Sequence, residues 1–493
     1  MNKDGYEYLC KEDNNGWFLR ARAVSGGRHF SDFRTYTLRY PDGKEVQKNL
    51  NKSVIDQILK AVKTKSLSEC FVVNVNENGE PRKVEDSDVK IDPNDINHKL
   101  GEKELSFTST GDKLDYHWPI FNKLSETGYS SIIRATMTLH QVCASRCQFC
   151  STINRNKKDR ISLEEAKQFV KNLYFDQADY NRDKFKKYND LYKKHCGTDI
   201  RLRGLILSGG GQPNLWPYFQ EFVNWVSDLN IDLGLITNGF PKNVDDETYS
   251  KFKWIRLSVT PEDASPFYPN QRFDNQYIPK SVLDGEQTFG LSYVYGSWTT
   301  SDILQRLNSV VDKWGVEYVR LLTDCNLGRN EQLRAHKALS ERLFELGIID
   351  EKGISKSKLF HQLKYHGTRK EAEEIWEEGQ CYLQSYNVFW DTTGHEENGK
   401  SFCYPCDSVT VLADDESKNF PARGFEHSKW GTVPNTEVEK LWKEPLKAFF
   451  DPRENCSACL FMKNNRKVKE LAKNISQHYE VETKKLPDHL NFP

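Results

Sequence analysis

The sequence predicts an α/β protein: a partial (β/α)6 TIM-like barrel, with an N-terminal α+β accessory domain before it and a small cysteine-bearing domain after it. Three observations predict this. From about residue 131 to 325, β-rich runs alternate with amphipathic helical patterns, the mark of βαβ units around a parallel sheet. The stretch before about 120 mixes strand-like runs with one helical pattern. Eight of the twelve cysteines gather in three places, at 143–150, 381–406 and 456–459.

At 493 residues the chain is long enough for several domains. Lys+Arg 70 against Asp+Glu 71 leaves a formal net charge of −1, so charge selects neither nucleic acid nor an anionic membrane as partner. A hydrophobic fraction of 37% with 12% aromatics excludes global disorder. No run approaches the ~18 apolar residues of a membrane span, and the opening MNKDGYEYLC has no secretory pattern. The expectation is a soluble, cytoplasmic protein with no membrane partner. Its cysteines are then expected as metal ligands, reactive thiols or buried small side chains rather than as disulfides.

Taken in order, WFLRARAV and FRTYTLRY read as strands, with a PDG turn at 41–43 and a helical pattern in SVIDQILKAVKTKS. The polar stretch 76–104 reads as a linker, which closes an accessory region over 1–120. The core, 121–330, offers six strands: SIIRATMTLH, GLILS, DLGLIT, WIRLSV, LSYVY and YVRLL. Between them lie the helical runs SLEEAKQFVKNLY, YFQEFVNWVSDL, a short one near 245–252, and ILQRLNSVVDKW. Six strands are too few for a closed eight-stranded barrel. Residues 331–380 read as a charged helical bridge, 381–462 as the cysteine-bearing domain and 463–493 as a C-terminal tail.

Directly after the first core strand, TLHQVCASRCQFCS places Cys143, Cys147 and Cys150 in a C-x3-C-x2-C pattern. Three thiolates on one short loop can hold three irons of a [4Fe–4S] cluster and leave the fourth open. A structural zinc site closes with four ligands, and no fourth Cys or His stands at finger-like spacing here. After the second strand comes LILSGGGQPNL, after the third Thr237-Asn238-Gly239, and the fourth reads IRLSV. With Phe149 just before the third cysteine, this order over about 190 residues resembles the radical S-adenosylmethionine (SAM) enzymes.

The resemblance implies a cluster on Cys143, Cys147 and Cys150 whose open iron chelates SAM, and a 5′-deoxyadenosyl radical made by an electron from an external donor such as flavodoxin or ferredoxin. It implies Phe149 beside the adenine, Gly210 and Gly211 at the SAM amino group, Asn238 at the Asn-Gly step and Ser258 at the ribose or carboxylate. Gln212 stands where the family usually has Glu, and brings an acceptor without the charge. Cys325, after the sixth strand in YVRLLTDCN, stands where an S–H could give a hydrogen atom to a substrate radical; a packing role is the plainer alternative.

The C-terminal series CYLQSYNVFWDTTG, FCYPCDS, GTVPNTEVEKLWKEPLKAFF, CSAC resembles the SPASM and twitch auxiliary domains, which makes the last domain an iron–sulfur domain. No cysteine follows Cys459, so the pattern is shorter than the full seven-cysteine form. The resemblance implies one auxiliary [4Fe–4S] cluster on Cys381, Cys406, Cys456 and Cys459, with Cys403 able to replace Cys406. A zinc ribbon from the pairs 403/406 and 456/459 is the alternative. The substrate implied is a ribosomal peptide or protein. The competing functions are radical SAM chemistry on nucleic acid or a small metabolite, and non-catalytic zinc or iron binding.

Two weaker signals are read plainly. DKFKKYNDLYKKH interleaves Lys with aromatics but is expected to be the solvated face of a helix rather than a nucleic-acid strip. His361 and His366, at H-x4-H, are expected on a helix surface, and His117 is given no role.

Overall fold

The computed structural model of the chain describes four strands between residues 7 and 49 and then residues 111–473 and 489–493. Excepted from the latter are 146, 148, 151, 153–155, 261–276, 297–298, 325–328, 363–378, 394, 399–400, 408–432, 447–450, 456–458 and 460. Strands β1 (Glu7–Lys11), β2 (Phe18–Ala23), β3 (Phe33–Arg39) and β4 (Glu45–Asn49) form an antiparallel meander, with β2 and β3 on the two expected strand runs. The turn at 41–43, the helical pattern of SVIDQILKAVKTKS and the linker 76–104 lie outside the described residues.

The core is one open sheet. Strands β5 (Arg134–Thr138), β6 (Gly204–Ser208), β7 (Asp232–Thr237), β8 (Trp254–Val259), β9 (Thr288–Tyr295) and β10 (Tyr318–Thr323) pair in parallel in chain order. Strand β11 (Leu359–Gln362) extends this sheet beyond β10, and β12 (Asn387–Asp391) extends it beyond β5, both in parallel. Two short antiparallel strands, β13 (Phe402–Tyr404) and β14 (Val433–Pro434), finish the β12 edge. The order β11-β10-β9-β8-β7-β6-β5-β12-β13-β14 does not return on itself, as expected of a partial TIM-like barrel. Runs such as GLILS and DLGLIT are almost wholly apolar because a parallel sheet is covered on both faces.

The helices start where local chemistry tells them to. Helix α1 (Trp118–Thr127) has Pro119 in its first turn and stops at Gly128, whose φ of 78° suits glycine. Helix α2 (Leu163–Lys171) begins with a capping box: Glu165 N–H donates to Ser162 Oγ at 3.2 Å and Ser162 N–H to Glu165 Oε2 at 2.8 Å. It runs through a π turn into α3 (Gln177–Lys184), followed by α4 (Lys186–Cys196). Helices α5 (Phe219–Ser227), α6 (Asp246–Ser250), α7 (Lys280–Leu283), α8 (Ser301–Lys313), α9 (Arg329–Glu345) and α10 (Met462–Lys473) follow, with Asp245 and Thr300 capping α6 and α8.

Four readings need amendment. The six core strands stand as expected, and among the described residues two more, β11 and β12, join them in parallel. Strand β11 comes from the stretch expected to be helical; its four residues are too few to show a period. His361, expected on a helix surface, is the third residue of β11 and is buried, its ring 3.7 Å from that of His336; His366 lies outside the described residues. The supposed tail contains α10, which buries Val468 and Leu471, and residues 489–493, which are also largely buried. The first core helix begins at Trp118, ahead of the boundary expected at 121. In α4 the tyrosines Tyr188 and Tyr192 turn inward and the lysines outward, so that segment is an ordinary amphipathic helix.

Lys123 on α1 is fully buried. Its Nζ donates to Ser130 O, Ser131 Oγ and Asn181 Oδ1 at 2.8, 3.1 and 2.7 Å, and no carboxylate faces it among these partners. Burial pulls its pKa down to about 7. Because the folded value lies below the unfolded one, the unfolded chain binds more protons above pH 7, and stability rises with pH there. Lys123→Met should flatten the pH dependence between pH 7 and 9 by up to ~1.4 kcal/mol per unit, read from urea unfolding of both proteins. Parallel curves for the two would refute the assignment.

Candidate functional site

Parallel strands place their C-terminal ends on one rim, where loops carry chemistry. Strand β5 ends at Thr138, and the chain reaches Cys143, Cys147 and Cys150 over the next twelve residues; all three are half-buried and in no disulfide. Cys150 N–H donates to Cys147 O at 3.1 Å and closes the turn between them. At the base of the loop, Gln141 N–H donates to Asp159 O at 3.0 Å, and His140 Nε2–H to Gln212 O at 2.7 Å. Burial lowers the His140 pKa, which keeps that ring neutral at physiological pH.

The glycine loop after β6 packs onto the cysteine loop. A Cβ on Gly211 would collide with Val142 O and come within 2.7 Å of His140 O; one on Gly210 would collide with the side-chain oxygen of Gln141. Gln212 N–H donates to Val142 O at 2.7 Å, so the two loops also share a backbone hydrogen bond. Further out, Thr152 Oγ1 donates to Gly210 O at 3.2 Å and lies 3.5 Å from Cys150 Sγ.

A third loop, after β7, closes against these two. Gln212, itself buried, donates through Nε2 to Gly239 O at 3.2 Å, and Asn214 Nδ2 donates to the same carbonyl at 2.8 Å. Thr237 Oγ1 donates to Asn214 Oδ1 at 3.0 Å. The turn so held aims Asn238 Nδ2 at Cys143 Sγ, 3.5 Å away, and at Ser145 Oγ, 2.6 Å away. Cys143, the run Gly210-Gly211-Gln212 and Asn238, from three separate loops, are thus brought together. Phe149 is half-buried on the cysteine loop. Ser258 is the penultimate residue of β8, three strands away, in register with Ser292. Cys325 lies outside the described residues; the two residues before it, Thr323 and Asp324, are buried.

Sequence reasoning missed three contributors. Asn214 stood unremarked beside Gln212-Pro213. Gln141 gave no signal, yet it touches both the glycine loop and β12. Asp391, the last residue of β12, accepts at Oδ1 from Thr393 N–H and Oγ1–H, Thr138 Oγ1–H and Gln141 Nε2–H at 3.1, 3.0, 3.3 and 3.3 Å. Burial raises its pKa.

The C-terminal cysteines fall into two environments. Asn465 joins Cys381 and Cys459: its Oδ1 is 3.9 Å from Cys381 Sγ and its Nδ2 3.5 Å from Cys459 Sγ. Both thiols are pushed up by burial, to about 12 and about 11 respectively. Cys406 packs against the cluster of side chains that holds Cys381, Tyr386 and Leu383, and also against Phe389 and Tyr404. Cys403 is elsewhere, on β13 opposite Trp390 and inside the main core of the sheet, where burial also raises its pKa. Cys456 lies outside the described residues.

A donor set made only of thiols suits an iron–sulfur cluster or zinc. Among the described residues, no three His, Cys, Asp or Glu side chains converge as a ligand set, so the fit rests on donor chemistry and loop position. No helix among the described residues is long and apolar enough to cross a membrane.

No family model matches the chain, and no curated protein matches it. Among solved structures, Streptococcus suis SuiB bound to S-adenosylmethionine is similar with a TM-score of 0.38 and 11% identity, over 93% of this chain and 94% of that one. BtrN in complex with AdoMet and 2-DOIA gives 0.26 and 11%, over 64% and 88%. TYW1 with a lysine-pyruvate adduct bound gives 0.25 and 14%, over 43% and 72%. Overlap this loose carries no argument about chemistry.

The packing of the two loops makes its own prediction. At Gly210 the obstacle is the end of a flexible side chain, whereas at Gly211 it is backbone that cannot turn aside. Gly211→Ala should therefore destabilise by ~1–3 kcal/mol and Gly210→Ala by less, measured by thermal unfolding. The reverse order would mean that the loops do not approach in this way.

Proposed function

We propose that the chain is a radical SAM enzyme that modifies a C–H bond of a peptide or protein. The observation that carries this reading is the joining of the three-cysteine loop to the glycine loop and to Asn238, at the rim where parallel sheets keep their chemistry. Cys143, Cys147 and Cys150 would hold a [4Fe–4S] cluster with one open iron. When bound, that cluster supplies the electron that cleaves S-adenosylmethionine to a 5′-deoxyadenosyl radical.

The protein's own part is binding and orientation. Gly210 and Gly211, having no side chains, let backbone groups approach the SAM amino group. Gln212 commits its amide nitrogen to Gly239 O, which leaves its side-chain oxygen as the acceptor for an ammonium donor. Phe149 would cover the adenine, and Asn238 and Ser258 would meet the polar part of SAM. An external electron donor such as flavodoxin or ferredoxin would serve the cluster.

A second [4Fe–4S] cluster on Cys381, Cys406, Cys456 and Cys459 fits the shared environment of the three that are described. The separate seat of Cys403 speaks against a zinc ribbon built on the pair 403/406. The peptide substrate rests on the likeness of the C-terminal cysteine series to auxiliary domains of peptide-modifying enzymes.

Anaerobically reconstituted protein should bind about eight iron and eight sulfide, and joint replacement of Cys143, Cys147 and Cys150 by Ala should lower this to about four. Reduced protein should release 5′-deoxyadenosine from SAM, and the triple variant should not. A fully loaded protein that leaves SAM intact would refute the assignment, and bound zinc without sulfide would favour a non-catalytic metal protein. If Cys325 is the hydrogen donor, Cys325→Ala should still cleave SAM while losing or diverting the product by chromatographic analysis; an unchanged product yield would make it a packing residue.

A further inference from the structure

Residues 489–493 are seated at the opposite end of the sheet from the cysteine loop, and they meet the first residue of five consecutive strands. Arg134 of β5 donates through Nη1 to Pro493 O. Gly204 of β6 lies so close under the Asn491 carbonyl that a Cβ would collide with it. Asp232 of β7 accepts from Asn491 Nδ2 at 2.7 Å. The Trp254 ring of β8 meets the Phe492 ring edge-on at 5.5 Å. Thr288 of β9 lies 2.8 Å from His489 Nε2. From before α1, Lys113 Nζ donates to Phe492 O at 3.3 Å and His117 Nε2–H to Leu490 O at 3.2 Å.

One of these contacts leads on to the second group of thiols. The guanidinium of Arg134 has a fork of donors. While Nη1 is held by Pro493 O, Nε donates to Asn387 Oδ1 at 2.7 Å and the plane lies over the Tyr386 ring at 5.8 Å. Asn387 in turn donates through Nδ2 to Pro405 O at 2.8 Å, one residue before Cys406. Tyr386 OH accepts from Asn464 at 3.1 Å, beside the Asn465 that joins Cys381 and Cys459.

We propose that residues 489–493 are a positioning segment: by fixing the Arg134 fork they hold the Pro405–Cys406 turn in place, and so set where the thiol of Cys406 stands relative to Cys381 and Cys459. Its use in metal binding rests on the second cluster proposed above. The link itself runs through protein atoms alone, and it is tested without metal.

The test is alkylation of native, metal-free protein by iodoacetamide, read thiol by thiol by peptide mass spectrometry. Deletion of residues 489–493 should raise the labelling rate of Cys406 about fivefold, the effect expected from losing about one net hydrogen bond. Cys143, at the other end of the sheet, and Cys403, in the main core, should keep their rates. Arg134→Lys retains the charge and loses the fork, and should give the same selective rise in a chain of full length. Unchanged labelling of Cys406 in both proteins overturns the proposal, and so does a parallel rise of Cys403 and Cys143, which would report general unfolding. Loss of the iron–sulfur reading itself would show in the metal content of the unaltered protein and leave this result standing.

Discussion

The candidate site depends on how closely two loops approach each other. Gly211 lies against the carbonyls of Val142 and His140, and Gln212 N–H is bonded to Val142 O, so the turn after β6 is fixed to the stem of the cysteine loop by backbone. Everything else is built from that seam. Because Gln212 is fixed there, its side chain can reach Gly239. Because Gly239 is gripped by Gln212 and Asn214 together, Asn238 points at Cys143. Three strand ends become one surface with only a few hydrogen bonds, of which those of Gln212, Asn214 and Thr237 around Gly239 are buried and those of Asn238 lie partly open at the rim.

The second group of thiols has a different character. Cys381 and Cys459 are held high in pKa by burial, so as protein groups they are protonated and unreactive. A bound metal would reverse this by taking the place of the protons. The first loop sits half in solvent at the rim, where a ligand can reach it. The fully buried member of the second set is Cys381, whereas Cys406 and Cys459 are half-buried like the three thiols of the first loop.

Much of the core could be read from the sequence because its strands are apolar and its helices amphipathic: GLILS, DLGLIT, WIRLSV and the helical run that begins SLEEAKQFV all lie where their patterns put them. The flanking strands could not. LFHQ is short and contains a buried histidine, and NVFWD is buried on every residue, so neither shows an alternation. At the site, the glycines and Gln212 were visible as a motif, since close approach demands small residues. Gln141 and Asp391 were not, because their roles arise from β12 lying beside β5, a pairing that no local pattern encodes.

That pairing also has a consequence in time. Asn387 and Arg134 face each other across 253 residues of chain, so β5, in the middle of the finished sheet, has an open edge until β12 has been made. At the usual pace of synthesis, ~5–20 residues per second, the wait is roughly 13 to 50 s. During it the parallel strands β5 to β10 can assemble while one side of β5 stays unpaired, with its backbone groups available to any passing strand. The nascent chain is therefore most exposed to mispairing at the strand that leads into the cysteine loop, and a chaperone holding it through that interval would protect the loop as well as the fold.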